Sequence, residues 1–418
     1  MILSVDEAIP YWQEAFVGVG DIRPFSGRKL RPVDVKDSDA LVVRSVTRVD
    51  ASLLDGSSVR FVGSATIGLD HFDEPYLKSR GIRYTNAAGS NANSVAEYVT
   101  AALLVVAQRK GWDLARKSIG IIGVGNVGSR VEKKVRALGM QVALCDPPLR
   151  ESTGDKKYGF LEDVIDADIL TLHVPLTKSG PYPTFHMIDD KILRRLSPRQ
   201  FLINSARGAV MDCTALKDRL TAGGLAGAVL DVWEGEPEID YSLLDLVEIG
   251  SPHIAGYSLD GKVRGTEMIF EELRRCFNLP VSWDTQSLYP PPALLRLPPG
   301  NQGQDALRSA VIQAYDILHD DTNLRALRTL PREEARSAFD HLRNDYNLRP
   351  EFRHYRVELG RDQNSLDGTL QALGFQTVAP NSTGKGVAHE VPSSLSFCHR
   401  ISPLSLFKAY IFDGPGCS

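Results

Sequence analysis

The stretch SIGIIGVGNVGSR, Ser118 to Arg130, decides the fold. Its first five residues read as a short buried strand. Gly123, Gly125 and Gly128 then make a turn, and Val127, Val131, Val135 and Leu138 form the apolar stripe of the helix that the turn opens. Gly139 is placed to end that helix. A second strand, Gln141–Cys145, follows and stops at Asp146. Each part has a physical task in holding a dinucleotide. Gly123 permits the tight turn, Gly125 lets the backbone come close to a pyrophosphate, and Gly128 lets helix and strand pack closely. The helix N-terminus offers unpaired N–H groups and the positive end of its dipole to the phosphates. Asp146 is placed to accept hydrogen bonds from the adenosine ribose and to repel a 2′-phosphate, so NAD is expected rather than NADP. A glycine turn alone joins strand to helix in many proteins without any ligand. Here strand, turn, helix, second strand and terminal acid occur in series, and that makes the reading specific.

Because the motif begins only at residue 123, the dinucleotide unit reads as an insertion into another domain. Upstream, Ile2–Val5, Ala40–Val43, Arg60–Gly63 and Ile82–Tyr84 read as buried strands of a parallel α/β domain. Ser94–Gln108 reads as a bridging helix, with Val95, Val99, Leu103 and Val106 near helical spacing. Downstream, Asp168–Leu172, Phe201–Asn204, Ala228–Asp231 and Glu248–Gly250 continue the second strand series. Most end in polar or glycine-bearing segments, where open α/β sheets place their ligand crevice. Leu288–Gly300 (LYPPPALLRLPPG) is too proline-rich for a helix or central strand and reads as a linker. Beyond it, Leu307, Val311, Ala314 and Leu318 mark an amphipathic helix of a third, small domain. The expected architecture is α/β, with two Rossmann-like parallel-sheet domains. Residues 94–256 form the NAD-binding domain, inserted in a substrate-binding domain split between 1–93 and 257–285. Residues 286–380 form the third domain, and the Ser/Gly/Pro-rich tail 381–418 is expected to be disordered.

The chain has 418 residues, too many for a single core. Its 43% hydrophobic and 24% charged content is that of a globular protein, and a net charge of −4 gives no electrostatic case for nucleic acid. Five cysteines are scattered without a C-x-x-C pair, which fits reduced cytoplasmic thiols and argues against a disulfide framework or a metal site. MILSVDEAIPYW has no basic n-region or apolar h-region, and no run of about eighteen uncharged apolar residues occurs, so neither export nor membrane insertion is expected.

Three segments at strand ends carry the candidate chemistry: Asn204-Ser205-Ala206-Arg207-Gly208, Asp231 to Pro237 (DVWEGEP), and Pro252 to Tyr257 (PHIAGY). Hydride transfer from a 2-hydroxy acid needs a cation for the carboxylate, a base for the hydroxyl proton and a cofactor face. An arginine fork holds a carboxylate bidentately and keeps its charge. A histidine titrates near the operating pH, and a carboxylate beside it fixes its tautomer and raises its pKa. Arg207, His253 and Glu236 are the natural occupants, although each alone could be a salt-bridged arginine, a structural histidine or a surface acid.

With these segments in view the sequence resembles the D-isomer-specific 2-hydroxyacid dehydrogenases. The match is carried by VRSVT (Val43–Thr47), ATIGLDH (Ala65–His71), GIIGVGNVGSR (Gly120–Arg130), LCDPP (Leu144–Pro148), NSARGAVMD (Asn204–Asp212), LDVWEGEPE (Leu230–Glu238) and HIAGYSLDGKVRGT (His253–Thr266). It runs from the first strand to about residue 380. CDPP, and HIAGY followed by G-K-x-R-G-T, point within the family to a branch that oxidises 4-phosphoerythronate in vitamin B6 biosynthesis. The resemblance implies Arg207, Glu236 and His253 as the catalytic three, with His253 acting on the hydroxyl proton. It implies NAD held at Gly123, Gly125, Asn126, Val127, Gly128, Asp146, Val174, Ser205, Ala206, Arg207, Asp231 and Gly256, and substrate at Ser45, Thr66 and Tyr257. Val174 stands where the family usually has threonine, so only its backbone is assigned. The region after the linker resembles the family's dimerisation domain, so a homodimer is expected, its apolar stripe buried against a second copy. A substrate with a carboxylate at one end and a phosphate at the other needs two cationic subsites. Arg44 is the candidate for the phosphate, its alternative being a surface salt bridge, and Arg343 and Arg349 are basic residues of the third domain offered to a partner's phosphate subsite. The competing readings are a dehydrogenase for 3-phosphoglycerate or another 2-hydroxy acid, and an NAD-sensing corepressor of the same fold.

Overall fold

In the computed structural model, which describes residues 1–379, the strands gather into three sheets, all with parallel pairing. The first sheet has the order Asp21–Phe25, Ile2–Asp6, Ala40–Val43, Phe61–Ser64, Arg83–Asn86. Ala40–Val43 and Phe61–Ser64 are buried along their whole length, as continuous apolar runs covered on both faces should be. Asp21–Phe25 (DIRPF) was not foreseen; its charges and Pro24 deny it a hydrophobic signature and suit the sheet edge it occupies. The second sheet has the order Ile249–Gly250, Gly227–Leu230, Phe201–Asn204, Ile169–Leu172, Ser118–Ile122, Gln141–Cys145, Tyr158–Gly159. Its order reverses between Ser118–Ile122 and Ile169–Leu172, so Gly123 stands at a topological switch point.

Between the sheets the chain passes through the Ala92–Lys110 helix and returns through the Leu259–Phe277 helix. Fifteen of the nineteen residues of Ala92–Lys110 are buried, so it is an interior helix, covered all round rather than on one stripe. Gly111, with φ 64, ends it in the left-handed conformation that glycine adopts without strain.

The third sheet changes two expectations. The proline-rich linker contains an edge strand, Ala293–Arg296, paired with Tyr355–Glu358, which pairs in turn with Gln376–Val378. Prolines flank that strand and leave its own N–H groups free to pair. The stripe Leu307, Val311, Ala314, Leu318 does not lie on one helix. Gly303–Ala314 stops at Tyr315, and Asp316 caps a new helix, Ile317–Ala326, by accepting from the N–H groups of Leu318 (3.1 Å) and His319 (3.4 Å). The stripe also has its partner within the chain. Leu307, Val311 and Ala314 share a core with Val99, Leu103 and Val106 of the interior helix. A second copy is therefore not needed to bury them.

An ion pair and a backbone hydrogen bond lock the third sheet's loops onto the same helix. Arg349 donates to Glu97 at 2.6 Å with both side chains buried, and the Phe352 N–H donates to the other Glu97 oxygen at 2.8 Å. Burial pushes Glu97 up to about 7, against the pull of Arg349 and Lys134. Arg349 is thus a structural cation, and its expected part in a phosphate subsite is withdrawn. The disorder expected of 381–418 lies outside the described residues.

Candidate active site

The glycine turn follows directly from its strand. Gly123 has φ 87, and a side chain there would strike the His173 carbonyl at 2.7 Å. A side chain at Gly128 would overlap the Gly123 carbonyl, so that glycine is fixed by close packing of helix on strand. Gly125, by contrast, faces open space. Turn, packing and open face fall to the three glycines that a bound pyrophosphate would require to do those tasks. Asp146 closes the neighbouring strand. Its Oδ2 accepts from the Val124 N–H at 2.8 Å and its Oδ1 from the Leu149 N–H at 2.9 Å, where it caps the Pro147–Thr153 helix. The carboxylate is therefore fixed relative to the glycine turn, with acceptor capacity left on both oxygens. Val174 lies beside the same turn, 2.8 Å from where a Gly123 side chain would begin. Asn126 reaches out of the turn to Gly89 in the loop after the first sheet's last strand.

On the other side of the switch point, the loops after Phe201–Asn204 and Gly227–Leu230 touch. A side chain at Gly208 would overlap the Trp233 carbonyl, and this contact sets Arg207 beside the segment Trp233–Glu236. Asn204 organises its own loop, accepting from the Ala206 N–H at 3.0 Å and donating to the Arg207 carbonyl at 3.1 Å. Ser205 lies 3.5 Å from His173, whose imidazole burial pulls down to about 3 and so keeps neutral. The Arg207 guanidinium rests on the Ala206 carbonyl at 2.7 Å, with no carboxylate partner among the described residues.

The histidine is built with most constraint. Asp231 is fully buried and accepts from the Ser251 hydroxyl at 2.7 Å and from the N–H groups of Ile254 and Ala255 at 2.8 and 3.0 Å. The His253 N–H donates to the Asp231 carbonyl at 2.7 Å. His253 itself sits at φ 59, a left-handed conformation costly for a residue with a side chain. The outcome is a ring whose Nδ1 is 2.7 Å from Glu236 Oε2, while Glu236 Oε1 accepts from the Trp233 N–H at 2.7 Å. Burial pushes the Glu236 carboxyl up, but the His253 bond and charge, the Trp233 N–H and Arg343 outweigh it and hold the group below its usual value. An ionised, doubly held carboxylate fixes the imidazole with Nε2 facing away from it. Gly256 follows, its backbone pressed so close to Asn91 that a side chain would overlap it.

The first sheet contributes a second edge. Arg44 and Ser45 follow Ala40–Val43, and Thr66 follows Phe61–Ser64. Arg44 is bridged, but not at the surface: its Nε donates at 3.0 Å to Asp6, which is wholly buried and also accepts from the Ala8 N–H. Thr66 is bonded to Ser64 at 2.7 Å, and Ser45 is exposed. Tyr257 packs edge-on against Tyr346, ring centroids 5.9 Å apart. Asp6 and Ser251, which hold Arg44 and Asp231, were missed in the sequence. A polar residue closing an apolar strand was the available signal in both.

Comparison with known proteins bears on this arrangement. Residues 91–255 match the model of the D-isomer specific 2-hydroxyacid dehydrogenase, NAD binding domain. Proteins named erythronate-4-phosphate dehydrogenase from Salmonella arizonae and Hahella chejuensis are 44% and 43% identical over 90% of this chain and 99% of their own. The chain belongs to the erythronate-4-phosphate dehydrogenases, within the D-isomer-specific 2-hydroxyacid dehydrogenase family. Like the family it is an NAD-dependent oxidoreductase. A solved D-lactate dehydrogenase from Aquifex aeolicus, complexed with NAD and lactic acid, is 26% identical with TM-score 0.53, covering 66% of this chain and 96% of its own. D-2-hydroxyisocaproate dehydrogenase, at 22% identity and TM-score 0.56, shares the fold over 68% of this chain and 98% of its own. Residues 290–374 of this dehydrogenase match a domain of unknown function, DUF3410.

Proposed function

We propose that the protein oxidises 4-phosphoerythronate at C2 to the 2-oxo acid, the step of vitamin B6 biosynthesis that its family resemblance implies. The observation that carries this reading is the His253–Glu236 pair, 2.7 Å apart, set beside an arginine that has no carboxylate partner among the described residues. Arg207 takes the substrate carboxylate through its fork. His253 Nε2 accepts the C2 hydroxyl proton as the C2–H bond breaks, and Glu236 stabilises the imidazolium that results. NAD supplies the hydride acceptor when bound. The Gly123–Gly128 turn with Asn126 and Val127, Asp146, the Val174 backbone, Ser205, Ala206, Asp231 and Gly256 are the residues that would hold it. Ser45, Thr66 and Tyr257 hydrogen-bond the substrate, and Arg44, steadied by Asp6, faces its phosphate. The homodimer expected from the resemblance would use surface other than the stripe buried in the chain, and light scattering gives its mass. The unpaired thiols of Cys145, Cys213 and Cys276 support a cytoplasmic setting.

The test is turnover with NAD on a panel of 2-hydroxy acids. The reading expects 4-phosphoerythronate to give the highest kcat/KM, ahead of erythronate, 3-phosphoglycerate and lactate. Preference for 3-phosphoglycerate or an unphosphorylated acid contradicts it, and NADH binding without turnover points to a sensor.

A further inference from the structure

Among the described residues, four that carry a side chain adopt the left-handed backbone conformation: Tyr11, His186, His253 and Asn278. Asn278 closes a helix, where that geometry is ordinary, and Tyr11 opens one. The other two are histidines, and each meets a glutamate of one short loop. His253 Nδ1 lies 2.7 Å from Glu236, and His186 Nε2 lies 2.7 Å from Glu234 Oε1. The proposed mechanism uses the first pair and leaves the second without a task. His186 lies in none of the segments that carried the candidate chemistry.

His186 touches both loops of the active site. Its N–H donates to the Ala209 carbonyl at 2.8 Å, the Ile188 N–H donates to the Val210 carbonyl at 3.1 Å, and the Asp212 N–H donates to the Ile188 carbonyl at 3.0 Å. Residues 186–188 therefore run beside the continuation of the Arg207 loop. A carboxylate can only accept, so the His186 Nε2–H donates to Glu234. Phe185 stacks on the same imidazole, ring centroids 4.1 Å apart, and limits its rotation. Glu234 stands where the two loops meet, since a side chain at Gly208 would overlap its backbone nitrogen as well as Trp233. Two residues later comes Glu236. The backbone of His186 thus holds the loop of Arg207, and its ring holds the loop of Glu236.

Both side chains of the second pair are about one-third exposed, and a pair in that setting adds little to stability. Stability alone does not account for a histidine kept in a costly backbone conformation. Position does. Given the roles proposed above for Arg207, Glu236 and His253, we infer that His186 is a positioning residue of the hydride-transfer reaction. By bridging Ala209 and Glu234 it sets the spacing between the arginine that takes the substrate carboxylate and the glutamate that orients the proton acceptor. If that spacing drifts, a substrate held by its carboxylate no longer presents its hydroxyl to His253.

The experiment measures kcat and KM with NAD, on the 2-hydroxy acid that the wild type prefers, in His186→Asn, His186→Gln, Glu234→Ala and the double variant His186→Asn/Glu234→Ala. Asparagine tolerates the left-handed backbone but is too short to reach Glu234, so it removes the bond while sparing the fold. Glutamine can place a donor near the position of Nε2. Either His186→Asn or Glu234→Ala should lower kcat/KM roughly ten- to a hundredfold, with KM raised and kcat reduced. The double variant should be no worse than the more affected single one, because both remove the same bond. His186→Gln should recover a large part of the loss, and NADH affinity, read by fluorescence titration, should stay near wild type in all four. An unchanged kcat/KM in both single variants overturns the inference. So do losses that multiply in the double variant, a glutamine that restores nothing, or a parallel loss of NADH affinity, each of which marks a general structural role. A wild type that oxidises no 2-hydroxy acid overturns the activity and the inference together.

Discussion

The two large parallel sheets are built alike and equipped differently. In each, strand order reverses beside the strand that opens the unit: between Ser118–Ile122 and Ile169–Leu172 in one, between Ile2–Asp6 and Ala40–Val43 in the other. Such a reversal leaves a crevice at the strands' C-terminal ends. The seven-stranded sheet fills its crevice with a glycine turn, an open backbone face and Asp146. The five-stranded sheet has no glycine turn after its first strand. There Asp6 grips Arg44 across the reversal at 3.0 Å, and Gly27 leaves just enough room, since a side chain at that position would overlap the Asp6 carboxylate. One crevice is lined with N–H groups and an acid, the other with a held cation. The same topology thus supplies a crevice twice, and the residues at each give it a different chemistry.

This comparison can be broken where the two sheets' contributions meet. His253→Ala removes the proposed proton acceptor, and kcat should fall about 10²–10⁴-fold while NADH affinity, set mainly at the glycine turn and Asp146, changes little. Near-normal turnover would show that the base lies elsewhere. A next-largest effect concerns the third region, which belongs to neither crevice but is tied to the interior helix through Glu97. Arg349→Met leaves the buried Glu97 without its ion-pair partner, at a cost of about 3–5 kcal/mol in stability. Denaturant unfolding measures it, and a loss below 1 kcal/mol would mean that the pair does not hold the C-terminal region in place.

The crevices were unequally legible in the sequence. The dinucleotide unit declares itself locally: glycines at fixed offsets, an apolar helix stripe and a terminal acid all lie within thirty residues, and Ser118–Ile122 and Gln141–Cys145 keep the bounds read from the sequence. Arg207, Glu236 and His253 were each visible as polar residues ending apolar runs, and the structure binds two of them to one another. The substrate side is assembled from distant pieces. Asp6 meets Arg44 across thirty-eight positions, and Tyr257 meets Tyr346 from a distant part of the chain. No local period encodes such meetings. The helix break at Tyr315 and Asp316 was hidden for a related reason. Leu318 continues the apolar spacing of Leu307, Val311 and Ala314, so hydrophobic pattern alone could not show that a capping aspartate starts a new helix between them. The edge strands Asp21–Phe25 and Ala293–Arg296 escaped because edges carry charge and proline rather than alternation.

If one crevice is for the dinucleotide and the other for the anionic end of the substrate, substitutions in each should move different selectivities. The direct measurement is a pair of ratios, NAD over NADP and erythronate 4-phosphate over erythronate, taken as kcat/KM in Arg44→Gln and in Asp146→Ala. Arg44→Gln should lower the substrate ratio roughly tenfold or more and leave the cofactor ratio where it was. Asp146→Ala should move the cofactor ratio toward NADP, because the charge facing a 2′-phosphate is gone, and leave the substrate ratio where it was. Either variant shifting both ratios together, or Arg44→Gln shifting only the cofactor ratio, would contradict the division of labour between the two sheets.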